Sequence, residues 1–272
     1  MSTTRRNLGP LPLALIALGL LLSAGFVLAP ILVIFSQAFS KGVDFYLTNV
    51  LEPDTLHAMG LTILTAIVVV PVNILFGIAA AWAIAKFDFV GKKLLLTLLE
   101  IPFSISPIVA GVTYILLYGA QGLFGGFLED HGIRLMFALP AIFLVTLFVT
   151  SPFVARELIP LMQAQGTEPE EAAATLGASG WQIFRRVTLP SIRWALLYGA
   201  VLCTARAIGE FGAVSVVSGN VRGETNTLPL HVELLYHDYN AVGAFAAATT
   251  LTVLALVTLL VKAVLESKIE RR

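Results

Sequence analysis

Two sets of residues in this 272-residue chain have the types and spacing to do chemistry. Arg206 and Glu210 sit four positions apart in an otherwise apolar stretch, so on a helix they share one face and can pair. Counted from Trp194, Arg206 lies about 18 Å along such a helix and Glu210 about 24 Å. A charge at that depth is costly unless it faces protein or water. Two readings stand open: the pair fixes an interface, or Arg206 offers a passing anion a transient positive site that Glu210 weakens enough for release. The second set is Ser104 and Ser106, within "EIPFSISPIVAG". Their hydroxyls suit either an oxyanion or the backbone carbonyls that Pro102 and Pro107 would free by kinking a helix. No nucleophile–base constellation is visible. His57, His131, His231 and His237 fall near span ends or in loops, without metal-ligand or H-E-x-x-H spacing. No catalytic residue and no metal site is expected.

The elements that position these residues are apolar. The chain is 57% hydrophobic and only 12% charged, with a mean hydropathy of +0.89; a soluble domain carries about 25% charge. Runs 7–40, 55–85, 101–128, 135–155 and 239–261 hold no Asp, Glu, Lys or Arg, and a membrane span needs about 20 apolar residues. The reading is an all-α membrane protein with six transmembrane helices near 12–36, 56–85, 94–118, 135–156, 194–218 and 240–264. It has a short arm (1–11), a membrane domain (12–265) and a tail (266–272). Arg5 and Arg6 before an apolar run resemble a signal peptide, but apolar residues continue to Phe35, too long for a signal core, so an uncleaved span is expected. Ala205, Gly209 and Ala213 form a row of small residues beside the charges and suit close helix approach; Pro71 and Gly77/Ala81 read as bending and close packing in the second span. Cys203 is the lone cysteine, so no internal disulfide is possible. Zero formal net charge without a basic run offers nothing to nucleic acid.

Orientation follows from Lys and Arg. The N-terminal arm, the 86–93 loop, the 156–193 loop and the C-terminus hold 13 of them, including Arg156, whereas the other loops hold Lys41, Arg134 and Arg222 against eight acids. Both termini and the 157–193 loop are therefore expected in the cytoplasm.

That loop contains "TEPEEAAATLGASGWQIFRRVTLP" (167–190), a polar stretch in a greasy chain. Thr167 and Glu170 have capping-box spacing, and Pro169 suits a first helical turn. Ala172, Ala173 and Ala174 favour helix. Gly177 and Gly180 allow a sharp turn, and a second short segment, 181–187, ends at Leu189-Pro190, where span five begins. The expectation is a helix–turn–helix elbow whose small residues leave its surface open to another backbone.

The spacing Glu171-Ala172-Ala173, three residues, Gly177, nine residues, then Val187-Thr188-Leu189-Pro190 resembles the EAA signature of ABC-importer permeases, with Val187 in place of Ile. The resemblance implies a type I ABC-importer permease fold whose cytoplasmic coupling helix sits in a cleft of a separate ATPase subunit. It places Glu171 and Gly177 as contact and turn residues, Glu170, Ala172 and Ala173 as neighbours in the socket, and Leu189 and Pro190 at the end of the motif. The chain lacks a G-x-x-x-x-G-K-[ST] phosphate loop. It is therefore expected to hold no cofactor of its own, with ATP-Mg bound by the ATPase dimer.

The stretch "ARAIGEFGA" (205–213), continued as "VSVVSGN" and "VRGET", is similar to sulfate/thiosulfate importer permeases of the W type. This similarity implies a T-type permease as heterodimer partner, a periplasmic or lipid-anchored sulfate-binding protein, membrane lipid around the subunit, and residence in the bacterial cytoplasmic membrane. A homodimeric molybdate or tungstate permease is the alternative. A secondary anion transporter fits less well, because no inverted repeat is visible. Outer residues 220–240 are candidates for contacting the binding protein.

Overall fold

The computed structural model describes the backbone of residues 9–269 and the side chains of 9–264. Arg5, Arg6, Arg271 and Arg272 and the side chain of Lys268, all counted above toward orientation, lie outside that description, as do the expected arm before residue 9 and most of the expected tail. All regular elements among the described residues are helical. They run α1 (Pro10–Ala38), α2 (Val43–Val50), α3 (Pro53–Lys86), α4 (Lys92–Ser104), α5 (Pro107–Tyr118), α6 (Gly125–Asp130), α7 (Leu139–Thr150), α8 (Pro152–Gln165), α9 (Glu168–Thr175), α10 (Gly180–Ile183), a π turn (Phe184–Thr188), α11 (Leu189–Ile208), α12 (Gly212–Val217), α13 (Leu228–His237) and α14 (Ala241–Ile269).

Five continuous helical stretches are long and apolar enough to cross a membrane: Pro10–Ala38, Pro53–Lys86, Leu139–Gln165, Gly180–Ile208 and Ala241–Val264. The pair α4–α5 makes a sixth only as a broken span, bent by 111°. Side-chain contacts decide that it does cross. Lys86, ending α3, pairs with Glu170, just beyond α8, so those two ends share one side. At the opposite side Thr55 of α3 bonds His231 of α13 at 3.0 Å, and Asn240, before α14, donates to Asn49 at 3.1 Å. The 27-residue stretch 139–165 therefore starts opposite the side where α3 ends, and the chain must traverse between them through α4–α5. Residues 9 and 269 then fall on the same side as 167–190.

Three expectations need correction. Span three, read as one helix over 94–118, is interrupted at residues 105–106. Ser106 precedes Pro107, whose ring disfavours the helical region for it, and Ser106 adopts φ −58°, ψ 136°. Span five, read over 194–218, begins earlier and breaks at residues 209–211. There the Glu210 carboxylate accepts the Ala213 amide at 2.8 Å, a donor that a continuous helix would have given to the Gly209 carbonyl. Arg156, assigned to a cytoplasmic loop, lies within α8.

The core that carries the 167–190 segment is built on α8. Ala81, Val154, Leu158, Met162, Ile192 and Cys203 form one buried cluster from α3, α8 and α11. A Cβ on Gly77 would stand 2.6 Å from the Val154 side chain, and one on Gly199 would stand 3.2 Å from the Val154 Cα. Two glycines thus let α3 and α11 close on Val154 from two sides, the small-residue packing that spans use in lipid. The pairing of Gly77 with Ala81 was legible in sequence; the part of Gly199 was not. In contrast, α1 packs mainly against α14 and buries only Ala38 at its end.

Candidate functional site

The polar stretch folds as an elbow. α9 starts after Thr167, but Thr167 adopts φ −107°, ψ −8° and its hydroxyl caps nothing, so the expected capping box with Glu170 does not form. Pro169 and three acids in the first turn favour the helix start without it. The box appears one helix later: the Gln182 amide donates to the Ser179 hydroxyl while the Ser179 amide donates to Gln182 Oε1.

α9 ends as the glycine spacing required. Gly177 has φ +82°, its amide donates to the Ala174 carbonyl at 2.9 Å, and the Ala178 amide reaches back to Ala173 at 3.1 Å. These two bonds are a Schellman closure, which needs a left-handed residue where glycine stands. Further on, Pro190 has no amide to offer the Arg186 carbonyl, and the helix widens into the π turn Phe184–Thr188 before continuing as α11. The second arm of the elbow is therefore continuous with span five, rather than a separate segment closed by Leu189-Pro190.

Glu170, released from capping, anchors the elbow. Its carboxylate lies 3.0 Å from Lys86 Nζ and accepts from the Thr188 hydroxyl at 3.2 Å. The Lys86 side chain is only 5% exposed and also donates to the Gly166 carbonyl. Gln165 and Ser191 bond side chain to side chain at 3.2 Å, tying the end of α8 to the start of α11. Phe184 stacks between Trp82 of α3 and Trp181, each ring centroid 5.6 Å away. Sequence reading placed Glu170 at the contact surface and counted Lys86 only as a positive loop charge. A lone lysine closing a long apolar helix was the available signal.

What the elbow leaves outward is distinct from what it anchors. Glu171 and Ala172 are exposed, Ala173 half-buried, and two large apolar side chains project: Leu176 is 88% exposed and Trp181 69%. Leu189 is half-buried and Pro190 exposed, at the root of α11. Small residues flanked by a leucine and a tryptophan make a surface that another protein can cover.

The second candidate group lies deeper. Arg206, in the last turn of α11, pairs with Glu210 at 2.5 Å, although Glu210 stands past the end of the helix. The Glu210 side chain is 1% exposed and that of Arg206 30%. The expected row of small residues is split by the break: Ala205 and Gly209 are exposed, whereas Ala213 is buried in α12. The breaks in spans three and five lie side by side. A Cβ on Gly111 would stand 2.8 Å from the Ala213 carbonyl, and one on Gly212 would stand 3.2 Å from Pro107. Ser104 donates to the Glu100 carbonyl at 3.3 Å, which is neither of the carbonyls, Leu98 and Phe103, that Pro102 and Pro107 would free; Ser106 precedes α5 with its side chain capping nothing. Irregular backbone at membrane depth is tolerated where it is covered by protein or lines a cavity. Among the described residues, no group of three or more His, Cys, Asp or Glu could hold a metal ion.

The family described as "Binding-protein-dependent transport system inner membrane component" matches residues 73–271, a stretch that runs from the middle of α3 through the elbow and both breaks. The chain belongs to this family. A sulfate transport system permease protein, CysW of Escherichia coli (strain K12), is 57% identical over 95% of this chain and 89% of its own length. The CysT permease of the Salmonella typhimurium (strain LT2) sulfate transport system is 35% identical over 81% of this chain and 80% of its own. The W-type resemblance read from residues 205–225 thus agrees with the larger of the two identities. The fold is that of an ABC-importer permease: a bacterial ABC transporter involved in the import of alginate superposes with a TM-score of 0.77, at 16% identity, over 96% of this chain and 95% of its own. The chain is a membrane-embedded permease subunit, and the elbow and the paired breaks are parts of that permease.

Proposed function

We propose that this permease carries sulfate, with thiosulfate as the related substrate, across the bacterial cytoplasmic membrane as one subunit of an ATP-driven importer. The observation that carries the reading is 57% identity with a sulfate permease over nearly the whole chain. A second, T-type permease chain completes the translocation unit, an ATPase dimer binds ATP-Mg, and a periplasmic or lipid-anchored binding protein delivers the anion. Both termini and the elbow face the cytoplasm, in keeping with the excess of Lys and Arg on that side.

In this reading the elbow has two faces with separate duties. Glu171, Ala172, Ala173, Leu176 and Trp181 enter the ATPase cleft. Glu170, Lys86, Thr188 and Phe184 bind the elbow to α3 and α11, so that a push on the exposed face moves two spans as a unit. The paired breaks of spans three and five are where such a movement opens or closes the path, since broken spans bend with less loss of backbone bonding than continuous ones. Arg206 and Glu210 stand at one of these breaks, either on the path as its gate or as the packing that fixes the break.

The test is uptake of radiolabelled sulfate into proteoliposomes holding both permeases, the ATPase and the binding protein. Sulfate is expected to accumulate only with ATP inside the compartment the elbow faces and only when this chain is present. Uptake without this chain, or accumulation of molybdate in preference to sulfate, would defeat the assignment.

A further inference from the structure

Between α4 and α8, beside the break in span three, lies a cavity of about 290 Å³ lined by Leu96, Leu99, Glu100, Phe103, Ser104, Pro152, Arg156 and Ile159. Most of its wall is apolar, and three groups in it are not: one guanidinium, one carboxylate and one hydroxyl. Arg156 lies nine residues before the end of α8, about 14 Å along the helix, and Ser104 twelve residues into α4, about 18 Å. Both therefore sit well inside the span, where a cation is retained for a partner or a function.

Arg156 has no ion-pair partner among the described residues. Its guanidinium instead stacks over the Phe103 ring, 5.0 Å from the centroid, and Phe103 rests on Phe153 at 5.2 Å. Stacking on an aromatic face fixes the plane of the guanidinium and leaves its edge of N–H donors unused. That edge is the part that matches two oxygens of a tetrahedral oxyanion at once. Ser104 commits its hydroxyl to a 3.3 Å bond to the Glu100 carbonyl, long enough to be exchanged for a better acceptor. Glu100 leaves the pocket formally neutral when empty and repels a bound anion. All three polar residues are exposed in this chain taken alone, so an anion can reach them.

We infer that Arg156, Ser104 and Glu100 form a low-affinity site for a tetrahedral oxyanion, with Arg156 as its donor fork, Ser104 as a second donor and Glu100 as the group that hastens release. It deepens the proposed function by giving the transported dianion a stopping place on this chain, and it rests on that reading for the anion's identity as cargo. The phosphate of an anionic lipid in the facing leaflet has the same donor requirements, and the experiment separates the two sources.

Phenylglyoxal modifies exposed arginine, and peptide mass spectrometry reads the extent at Arg156. The assembled importer, lipid-depleted in detergent, is labelled in sodium sulfate or in sodium chloride of equal ionic strength. Sulfate is expected to slow labelling of Arg156 at least about fivefold, as bidentate occupation of the fork requires, without slowing Arg185 or Arg186. In Glu100→Gln the same shielding is expected at about tenfold lower sulfate, because the repelling charge is gone. Shielding that appears only on adding phosphatidylglycerol keeps the oxyanion site and assigns it to lipid. Equal labelling under all conditions overturns the site. Because this readout needs no transport, sulfate shielding in an assembly that fails to import sulfate would uphold the site and sink the cargo assignment alone.

Discussion

Lys86 and Glu170 pair at 3.0 Å across 84 residues of sequence, joining the end of α3 to the first turn of the elbow helix. Both side chains are largely withdrawn from solvent, at 5% and 18% exposure, so removing one leaves the other poorly solvated. Breaking a buried pair costs about 3–5 kcal/mol, and partial exposure of Glu170 brings the expectation for Lys86→Met to about 2 kcal/mol of local stability. The elbow is expected to become protease-sensitive between residues 166 and 180, with sulfate uptake falling about tenfold or more. Glu170→Gln should be milder, since an amide oxygen still accepts from Thr188. If Lys86→Met left both proteolysis and uptake unchanged, the pair would not be the anchor.

Gly177 owes its place to backbone conformation rather than to crowding. At φ +82° nothing lies within 4 Å of where its Cβ would stand. Gly177→Ala is therefore expected to cost only the left-handed penalty, about 1–2 kcal/mol, felt as fraying of α9 with the membrane core intact. Hydrogen exchange of the Gly177 and Ala178 amides should accelerate about tenfold while thermal melting of the permease stays put. A large drop in melting temperature would show that the turn bears on the bundle as well.

Gly77 presents the opposite case. Its φ is ordinary, but a Cβ would collide with Val154 at 2.6 Å. Gly77→Ala is expected to push α3 from α8 and cost about 1–3 kcal/mol by overpacking, with Val154→Ala as partial rescue. Melting curves of the single and double variants give the coupling directly. Additive losses would mean that the two positions do not share one contact.

These three positions also show what the chain's sequence reveals and what it hides. Span number, the elbow, its glycine turn and the close packing at Gly77 follow from hydropathy, positional spacing and small-residue patterns, all local signals. The anchoring of Glu170 does not, because its partner is 84 positions away and a charge pair leaves no periodicity. The Thr167–Glu170 spacing fits a capping box, yet a tertiary ion pair wins the carboxylate. The two breaks are half-legible: Pro107 and Glu210 each stand out, but a kink and a full interruption look alike until the neighbouring helix is known. Arg156 is misplaced by sequence because a positive residue near a span end counts with the loop.

His231 gives the side opposite the elbow a pH dependence. It is buried, with Nε2 3.0 Å from the Thr55 hydroxyl and Nδ1 without a partner. Burial lowers its pKa; Asp54 works against that shift and Arg222 adds to it. The native protein thus binds fewer protons than the unfolded chain below the ordinary histidine range, so stability is full above about pH 6.5 and declines as pH falls toward the lowered native pKa. The slope contributed by one such group reaches about 1.4 kcal/mol per pH unit at most. Melting temperature in detergent from pH 5 to 8 should fall on the acid side for the wild type and fall less for His231→Gln. An identical acid slope in both would place the sensitive group elsewhere.

Arg206 and Glu210 remain to be separated as gate and as glue. The Glu210 carboxylate is nearly fully buried and already holds the Ala213 amide, so its structural duty is visible in its bonds. The side chain of Arg206 keeps 30% of its surface and can face a passing anion while still paired. Arg206→Gln strands a buried carboxylate, and about 3–5 kcal/mol of destabilisation is expected; loss of transport in that variant alone would decide nothing. The double change Arg206→Gln with Glu210→Gln removes both charges, and the side-chain amide introduced in place of the carboxylate keeps an oxygen for Ala213, so assembly should recover to within about 1 kcal/mol. Sulfate uptake is then the deciding measurement in a complex that elutes and melts like the wild type. Uptake still reduced about tenfold or more assigns Arg206 to the path; uptake restored along with assembly assigns the pair to packing at the break.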